Sequence, residues 1–599
     1  MAALLEKFIF QHPMQRRARA GEIDTVLTAA RYVLPALLRN VVSRRPTLLG
    51  LALGHAQKHP ADLALEAEDE KLTWSDIDRL SSKVARVLAD AGTRKGDIVA
   101  LIGRNSPRYV VFILAATRVG ATMALINPHL TGAPLAHAFA TSKARIALVD
   151  EPFVDHVTAE HVDGGRIIRY GTPTSELEGL LDGTDESDFP PADVRAEDDF
   201  LYIYTSGTTG LPKPCRISHS RATLAGALYG ALMFEFRPGD KLYSPLPLYH
   251  SNGVLIAVGS CISMGVPMAI REQFSARGFL DDVRRYDATA MIYIGELCRY
   301  LLAIPETPRD REHRLRVAVG NGLRPDIWGM FQKRFGIENV REFYTATEAP
   351  GILMNRDGVE GSVGRAPPLF GRLYQLAKFD PEEGEHLRDA RGFCLRPGVD
   401  ETGELLIKIP SVVSVPGMKY RGYTDQAASN AKILSNVFAK GDRYFRTGDL
   451  LRRDAYGYFA FVDRIGDTYR CKGENVSTAE VGDVLSRAPG VREVAVVGVR
   501  IPPHDGQFGL VGVVPESGFD ADAFHRTARE LPSYAQPRFV RVLSSIETTS
   551  TNKQQKNRIR REGIDPELVS DPIYAWSDNG YVPMTTTLYE AVKAGTYRL

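Results

Sequence analysis

The stretch from residue 200 to residue 219 constrains the fold more than any other, because it joins an apolar strand to a loop rich in glycine and hydroxyl groups. Leu201 to Tyr204 are β-forming residues. Gly207 and Gly210 let the backbone turn and bring its N–H groups close to an anion without a Cβ atom in the way. The loop also carries hydroxyl side chains and one cation, namely Thr205, Ser206, Thr208, Thr209 and Lys213. A phosphate-binding loop at the end of a strand is therefore predicted.

Two other interpretations of this loop compete with phosphate binding. The loop lacks the Gly-Lys-Ser/Thr ending of a Walker loop, which argues against an ordinary P-loop NTPase. A segment rich in Ser, Thr and Gly between two periodic stretches is also typical of a plain solvated loop. From the loop alone, the solvated loop stays open beside phosphate binding.

Strand and helix patterns alternate from Thr73 onward. Helices are predicted between Ile77 and Ala91 and from Ser106 to Val119, and buried strands at 98–102, 122–126 and 146–149. This alternation predicts an α/β fold with layered, mostly parallel sheets covered on both faces. The glycine-rich loop would then lie at the carboxyl end of its strand, where open α/β sheets bind ligands.

The chain is too long for one hydrophobic core, so more than one domain is expected. Short alternating strands between 402 and 462 predict a small β-subdomain, and a compact α+β pattern follows the segment 462–468. We therefore predict a large domain over 61–465 and a small, mobile C-terminal domain over 466–599. The tail from Ile564 to Val582 is rich in Asp, Pro and Tyr and is predicted to wrap the surface.

Residues 1–60 form a basic extension, with nine Lys or Arg against three Asp or Glu. A basic amphipathic segment of this kind suits an anionic membrane surface, whereas the alternative is a helix packed on the main domain. No run reaches the roughly 18 apolar residues that span a bilayer, and no secretory signal is expected. The scattered, odd number of cysteines favours a reducing cytoplasm, with peripheral attachment to the inner face of a membrane as an option. A net charge of +1 gives no reason to propose a nucleic-acid partner.

The run Tyr204-Thr-Ser-Gly-Thr-Thr-Gly-Leu-Pro-Lys213 resembles the phosphate-binding signature of the acyl-adenylate-forming superfamily. Three further stretches narrow the resemblance to the fatty-acid-transport-protein branch of very-long-chain acyl-CoA synthetases. They are Asp463 to Val481, the Thr-x-Thr-x-Lys loop ending at Lys553, and Ser570-Asp-Pro-Ile-Tyr574. The similarity spans about residues 60 to 599.

This resemblance implies an ATP- and Mg²⁺-dependent acid–thiol ligase with CoA as second substrate. A long- or very-long-chain fatty acid would be converted to acyl-AMP and then transferred to CoA, with the small domain swinging between the two half-reactions. Oligomeric state does not follow from the resemblance.

Residue roles follow from the family motifs. Thr205 to Lys213 would hold the β- and γ-phosphates, Tyr344 would stack on adenine, Thr347 would touch the α-phosphate, and Glu348 would hold Mg²⁺ through phosphate. In Thr447-Gly-Asp449 the carboxylate would take the ribose hydroxyls. The remaining predicted nucleotide-binding residues are Asn321, Gly322 and Arg464.

Lys553 is the predicted adenylation lysine, with Lys556 in reserve, and the catalytic set is Lys553, Thr205, Lys213 and Glu348. Lys472 and Gly473 are predicted to meet CoA. His250 and Asn252 are predicted beside the acyl pocket, His250 in a positioning role. The family pivot falls on Gly466, where glycine can absorb a large backbone change.

Two alternative functions stay open from the sequence. The first is another ligase of the superfamily, acting on a bile-acid, sterol or aromatic acid or loading a carrier-protein thiol. The second is a lipid-uptake protein whose adenylation site is vestigial.

Overall fold

A computed structural model of the chain describes residues 47–184, 188–206, 211–367, 370–380, 383–410, 417–471, 474–502, 507–547 and 556–597. These residues fall into two compact units. The N-terminal unit runs to Leu373 and includes Ile407–Ser435 and Asp442–Phe445. The C-terminal unit contains Tyr374–Leu406, Asn436–Gly441 and the chain from Arg446 onward. A large N-terminal and a smaller C-terminal part are thus confirmed, while the boundaries at 60 and 465 stay predictions.

The strands of the first half are β1 Leu63–Glu66, β2 Lys71–Thr73, β3 Ile98–Ile102, β4 Thr122–Leu125, β5 Ile146–Asp150, β6 Arg166–Tyr170, β7 Asp199–Ser206, β8 Pro212–Ser218, β9 Leu242–Ser244, β10 Met268–Ile270, β11 Ala290–Ile294, β12 Val317–Asn321, β13 Asn339–Tyr344 and β14 Leu353–Asn355. The later strands are β15 Tyr374–Ala377, β16 Phe379–Asp380, β17 Glu385–His386, β18 Thr402–Lys408, β19 Ile433–Ser435, β20 Arg443–Arg453, β21 Phe459–Arg464, β22 Tyr469–Cys471, β23 Glu474–Val476, β24 Val491–Val499, β25 Phe508–Pro515, β26 Phe539–Val542, β27 Ile573–Ser577 and β28 Gly580–Pro583.

The α-helices are α1 Leu48–Lys58, α2 Trp74–Asp90, α3 Pro107–Val119, α4 Gly132–Ser142, α5 Glu176–Asp182, α6 His219–Leu228, α7 Gly259–Met264, α8 Phe279–Arg285, α9 Gly295–Leu302, α10 Pro325–Phe335, α11 Gln426–Ala431, α12 Thr478–Leu485, α13 Ala521–Ala528, α14 Asn557–Glu562 and α15 Thr586–Lys593. Two segments are π-helical, Tyr229–Met233 and Asn252–Val258. Single 3₁₀ turns occur at Glu151–His156, Ala159–Val162, Pro308–Arg311 and Gly371–Leu373.

The first sheet of the N-terminal unit has the order β6-β5-β3-β4-β7-β8 and is parallel except at its last pair, β7 with β8. The two helices predicted from the sequence are present, over Trp74–Asp90 and Pro107–Val119. Thr73 forms a capping box with Asp76 before α2, and Ser106 caps α3 ahead of Pro107. Gly120, with φ 85°, ends α3 in the left-handed conformation. The predicted glycine-rich loop follows the carboxyl end of β7, which pairs in parallel with β4.

The second sheet of this unit has the order β14-β13-β12-β11-β9-β10-β1-β2. Its inner strands are parallel, and the outermost pair at each end is antiparallel. The carboxyl ends of β12 and β13 lie side by side, since Gly320 pairs with Glu342. The predicted α/β class with layered, mostly parallel sheets is confirmed.

The sheet of the C-terminal unit has the order β24-β25-β26-β27-β28, with β25 and β26 parallel and the other pairs antiparallel. Two of its strands, β27 and β28, lie in the tail that was predicted to wrap the surface, and that prediction is wrong. Ala575 and Trp576 are buried in the core of this unit. The Asp, Pro and Tyr content resembled a loop, but a strand that pairs on both sides buries its apolar face whatever its polar flanks are.

Candidate functional site

The hairpin of β7 and β8 holds the predicted phosphate loop. Thr205 pairs with Lys213 in the register of the two strands, so the threonine and the lysine stand at the two ends of the turn. Both side chains are half-buried. The Tyr204 ring, just before them, is buried and donates its hydroxyl to the Ala138 carbonyl at 2.7 Å, which fixes the strand end. Residues Gly207, Thr208, Thr209 and Gly210 lie outside the described residues, as does the side chain of Ser206.

Glu348 follows β13 and is 92% shielded from solvent, with a relative exposure of 8%. Its Oε1 accepts a hydrogen bond of 2.8 Å from the Tyr423 hydroxyl. Burial, and then the Glu348 charge, raise the pKa of Tyr423 well above its ordinary value, so the phenol keeps its proton and donates. The backbone of the same tyrosine bridges Cys215 in β8, two residues after Lys213. Tyr423 thus connects the predicted metal-binding carboxylate to the predicted phosphate loop.

Two hydrogen bonds join the segment predicted beside the acyl pocket to the predicted nucleotide site. Ser251 Oγ and Thr347 Oγ1 share a hydrogen bond of 2.7 Å. Asn252 Nδ2 donates to Asn321 Oδ1 at 2.8 Å. His250 packs against the Tyr249 ring, with 4.4 Å between ring centroids, and its backbone N–H donates to the Pro247 carbonyl. The structure therefore brings these two sets of predicted residues together.

The turn after β12 is held by hydrogen bonds to the Glu342 carboxylate. Gly322 has φ 82°, a left-handed conformation that favours glycine. Glu342 Oε2 accepts from the Gly322 N–H at 2.9 Å, and its Oε1 accepts from the Leu323 N–H at 3.0 Å and from the Tyr293 hydroxyl at 2.9 Å. Burial raises the pKa of Glu342 to about 7, and these hydrogen bonds limit the rise. The carboxyl fixes the backbone that presents Asn321.

Tyr344 ends β13 and is half-buried. Thr345, which stands where the family motif has glycine, donates its hydroxyl to the Gly351 carbonyl at 2.9 Å. This contact closes the turn between Tyr344 and Glu348, so the turn forms without the glycine.

In the C-terminal unit, Asp449 and Arg464 face each other across β20 and β21, with Arg464 Nε 3.6 Å from Asp449 Oδ1. The turn before Asp449 is anchored by Glu404, whose Oε1 accepts from the Gly448 N–H at 3.1 Å. Burial alone would raise the pKa of Glu404, but the adjacent His386 and Arg446 outweigh it and hold that pKa below its usual value. The two predicted ribose and hinge residues therefore lie together on the hairpin of β20 and β21.

Lys556, the reserve adenylation lysine, is engaged within the C-terminal unit. Its Nζ donates to Thr478 Oγ1 at 2.9 Å. Burial lowers the pKa of Lys556, and Asp467 and Asp463 partly offset that effect. Lys553, Lys472 and Gly473 lie outside the described residues. Gly466, the predicted pivot, has φ 92° and open space around its Cβ position.

The sequence did not point to Glu342 or Tyr423. A glutamate between Val340 and Phe343 in a predicted strand is a signal that could have singled out Glu342, since a buried carboxyl needs partners. Tyr423 lies 75 residues from Glu348 along the chain, and nothing in its local sequence marks the contact.

No three His, Cys, Asp or Glu side chains converge as a metal cage within the part of the chain that the structure describes. The single buried carboxylate of Glu348 fits Mg²⁺, which takes one or two carboxylates together with substrate phosphates.

The fold and these residues define the class as an adenylate-forming ligase. The family model described as AMP-binding enzyme matches residues 54–415, and that described as AMP-binding enzyme C-terminal domain matches residues 480–553. The chain belongs to the AMP-binding enzyme family, in the branch of the long-chain fatty acid transport proteins and related acyl-CoA ligases.

Two curated relatives illustrate this branch. Long-chain fatty acid transport protein 2 of Rattus norvegicus is 39% identical, covering 94% of this chain and 93% of its own. Medium/long-chain-fatty-acid–CoA ligase FadD6 of Mycobacterium tuberculosis is 38% identical, covering 89% of this chain and 88% of its own. Among solved structures, ATP-bound MatB from Rhodopseudomonas palustris shares the fold, with a TM-score of 0.71, 24% identity, and coverage of 86% of this chain and 98% of that one. The resemblance drawn from the motifs is confirmed.

Among the described helices, none has both the length and the apolar character needed to cross a bilayer. Membrane association of residues 1–60 stays a prediction, because residues 1–46 lie outside the described part.

Proposed function

We propose that this protein is an ATP-dependent acyl-CoA synthetase that activates a long- or very-long-chain fatty acid as acyl-AMP and transfers the acyl group to CoA. The observation that carries the proposal is the pair of hydrogen bonds from Ser251 to Thr347 and from Asn252 to Asn321. They tie the segment assigned to the acid to the residues assigned to the nucleotide. An acid and an α-phosphate bound there would be neighbours.

In the first half-reaction, an oxygen of the acyl carboxylate forms a bond to the α-phosphorus of ATP, and the bond to the bridging oxygen of pyrophosphate breaks. Negative charge grows on the phosphoryl oxygens. The Lys213 ammonium and the hydroxyl of Thr205 stand at the turn where they can stabilise that charge. Mg²⁺ held by Glu348 would neutralise phosphate charge in the same step. No base is needed, because the attacking carboxylate is already ionised.

In the second half-reaction, the CoA sulfur forms a bond to the acyl carbonyl carbon, the bond from that carbon to the phosphate oxygen of AMP breaks, and the thiol proton is released to solvent. We assign Lys472 and Gly473 to the CoA path and Lys553 to the first half-reaction. Asp449 would bind the ribose hydroxyls and Arg464 would contact the nucleotide near the hinge. These assignments rest on the motifs and on the Asp449–Arg464 pair.

Fatty acid is the proposed substrate class because both curated relatives carry fatty acid in their names. The test measures AMP formation from ATP and CoA over acids of increasing chain length, with bile-acid, sterol and aromatic acids in the same panel. We expect the highest rates with long chains. Preference for an aromatic or sterol acid would redirect the substrate assignment, and an inert protein would favour the lipid-uptake alternative.

Pyrophosphate exchange without CoA isolates the first half-reaction. Lys553→Ala is expected to abolish exchange, whereas a normal Lys553→Ala and an inactive Lys556→Ala would transfer the role to Lys556. Exchange that proceeds while CoA is not consumed would indicate a carrier-protein thiol as acceptor.

A further inference from the structure

The Glu348 carboxylate accepts a hydrogen bond from Tyr423, a residue to which no motif assigns a role. Both side chains belong to residues that are 8% exposed. An ionised carboxylate at this depth needs a hydrogen-bond donor, and the Tyr423 hydroxyl supplies one at 2.8 Å to Oε1. A carboxylate has about four acceptor positions, so this bond leaves room for a cation on the other oxygen.

Tyr423 is fixed by its backbone as well as by its ring. The Arg216 N–H donates to the Gly422 carbonyl at 3.0 Å and the Thr424 N–H to the Pro214 carbonyl at 3.1 Å, so the segment pairs with β8. The Tyr423 N–H donates to Ser429 Oγ at 2.9 Å. The tyrosine is therefore attached to the same strand that carries Lys213.

Gly422 shows how little freedom this segment has. Its φ is 66°, and a Cβ atom there would stand 2.4 Å from Ser429 Oγ. Only glycine fits, and it sets the direction in which the next side chain leaves the backbone. The orientation of the Tyr423 hydroxyl is built into the fold.

We propose that Tyr423 is a positioning residue that holds the Glu348 carboxylate in a fixed orientation, so that MgATP meets a preorganised site. The inference rests on the proposed function for the identity of the ligand. Its physical content is that one phenol hydroxyl, carried by a segment paired with β8, donates to Glu348 in the turn after β13. Without that hydroxyl, Glu348 would lose its interior hydrogen bond, and its carboxylate could turn away from the metal position.

The test is Tyr423→Phe, which removes one oxygen and keeps the buried ring. Tyr420→Phe is the matched control, because the Tyr420 hydroxyl donates to the Ser429 carbonyl at 2.9 Å and not to Glu348. Titration calorimetry would measure the dissociation constant of ATP with saturating Mg²⁺ and again with EDTA. A hydrogen bond to a charged group corresponds to roughly a tenfold change. We expect Tyr423→Phe to weaken MgATP binding about tenfold, with little change for metal-free ATP and none in Tyr420→Phe.

A double-mutant cycle with Glu348→Gln separates action through Glu348 from an independent effect. If Tyr423 acts through the carboxylate, Tyr423→Phe should add little to Glu348→Gln. Additive losses, or equal binding by Tyr423→Phe and Tyr420→Phe, would overturn the inference. In steady-state assays, Tyr423→Phe should raise the KM for MgATP, and saturating MgATP should restore the rate of AMP formation.

Failure of the proposed function gives a different result. In that case wild type would bind MgATP but form no AMP with any acid, while the binding comparison between the two tyrosine variants would still hold.

Discussion

Glu342 offers a test of how the N-terminal unit responds to pH. The carboxyl is 2% exposed and receives three hydrogen bonds, and burial raises its pKa from the ordinary 4.5 to about 7. Below pH 4.5 the group is protonated in both the folded and the unfolded chain. Between pH 4.5 and 7 the unfolded chain releases the proton and the folded chain keeps it. The unfolded state therefore binds fewer protons in this window, and stability falls as pH rises.

The interval from 4.5 to about 7 corresponds to about 3 kcal/mol, at 1.36 kcal/mol for each pH unit. This loss of folding stability is complete above pH 7 and absent below pH 4.5. An unfolding entropy of ~2.1 cal/mol/K per residue over a unit of about 400 residues makes 1 kcal/mol equal to roughly 1 °C in melting temperature. Glu342→Gln is neutral at every pH and has nearly the same shape. Its melting temperature should therefore rise by about 4 °C relative to wild type between pH 4.5 and 8.

The quantity to measure is the difference in melting temperature between Glu342→Gln and wild type, because other groups titrate in the same pH range. His219, for example, is buried with its pKa lowered to about 4, so its effect has the opposite sign. Below pH 6.5 the unfolded chain protonates this histidine first, and stability falls toward acid. Subtracting the Glu342→Gln curve cancels this contribution. Scanning fluorimetry at half-unit steps of pH gives the required precision.

A melting-temperature difference that stays flat from pH 4.5 to 8 would refute the reasoning, because it would mean that the carboxyl titrates alike in both states. A difference of the opposite slope would show that the hydrogen bonds from Gly322, Leu323 and Tyr293 outweigh burial and keep Glu342 ionised.

Three further predictions follow from the packing and the site. Gly226→Ala should destabilise the protein by about 2 kcal/mol or more, since its Cβ atom would stand 2.2 Å from the Gly259 carbonyl oxygen. Gly259→Ala, whose Cβ atom would have its nearest neighbour at 3.5 Å, should melt at the wild-type temperature. Equal melting temperatures for the two variants would contradict the contact. Asp449→Asn should raise the KM for ATP at least tenfold and remove discrimination against 2′-deoxyATP. The measurement is the KM of wild type and variant for both nucleotides. An unchanged ratio of the two KM values in the variant would show that Asp449 does not contact the ribose. Lys556→Met removes the hydrogen bond to Thr478 Oγ1 and a positive charge near the buried Asp463 carboxylate. It should cost about 1–3 kcal/mol, visible as earlier proteolysis of the C-terminal unit, with unchanged digestion as the contrary result.

Much of the N-terminal unit could be predicted from local pattern. The strand over 98–102 has the predicted bounds, and the helices capped by Thr73 and Ser106 begin where their caps indicate. Caps, periodicity and glycine turns act within a few residues, so the sequence reveals them. The tail shows the limit of this reasoning. Strand β27 forms because the edge of β26, 30 or more residues earlier, accepts it, and β28 then pairs with β27. No local signal reports the edge of β26.

The same division holds for the site. Motif spacing singled out the phosphate loop, Thr347, Glu348 and Asp449, because their chemistry is carried by short runs of residues. The hydrogen bonds from Asn252 to Asn321 and from Tyr423 to Glu348 join residues 69 and 75 positions apart. Such contacts depend on which strands of a sheet become neighbours.

The sequence by itself determined the alternation of strand and helix, the glycine-threonine turn and the family to which the chain belongs. Tertiary structure alone decided that Glu342 supports the turn at Gly322 and that Tyr423 closes the interior side of Glu348. The physical reason is that short-range propensities and motif chemistry are properties of adjacent residues. The partner of a buried polar group, in contrast, is fixed by how distant segments pack. A buried carboxyl accepts from the donor that packing places beside it.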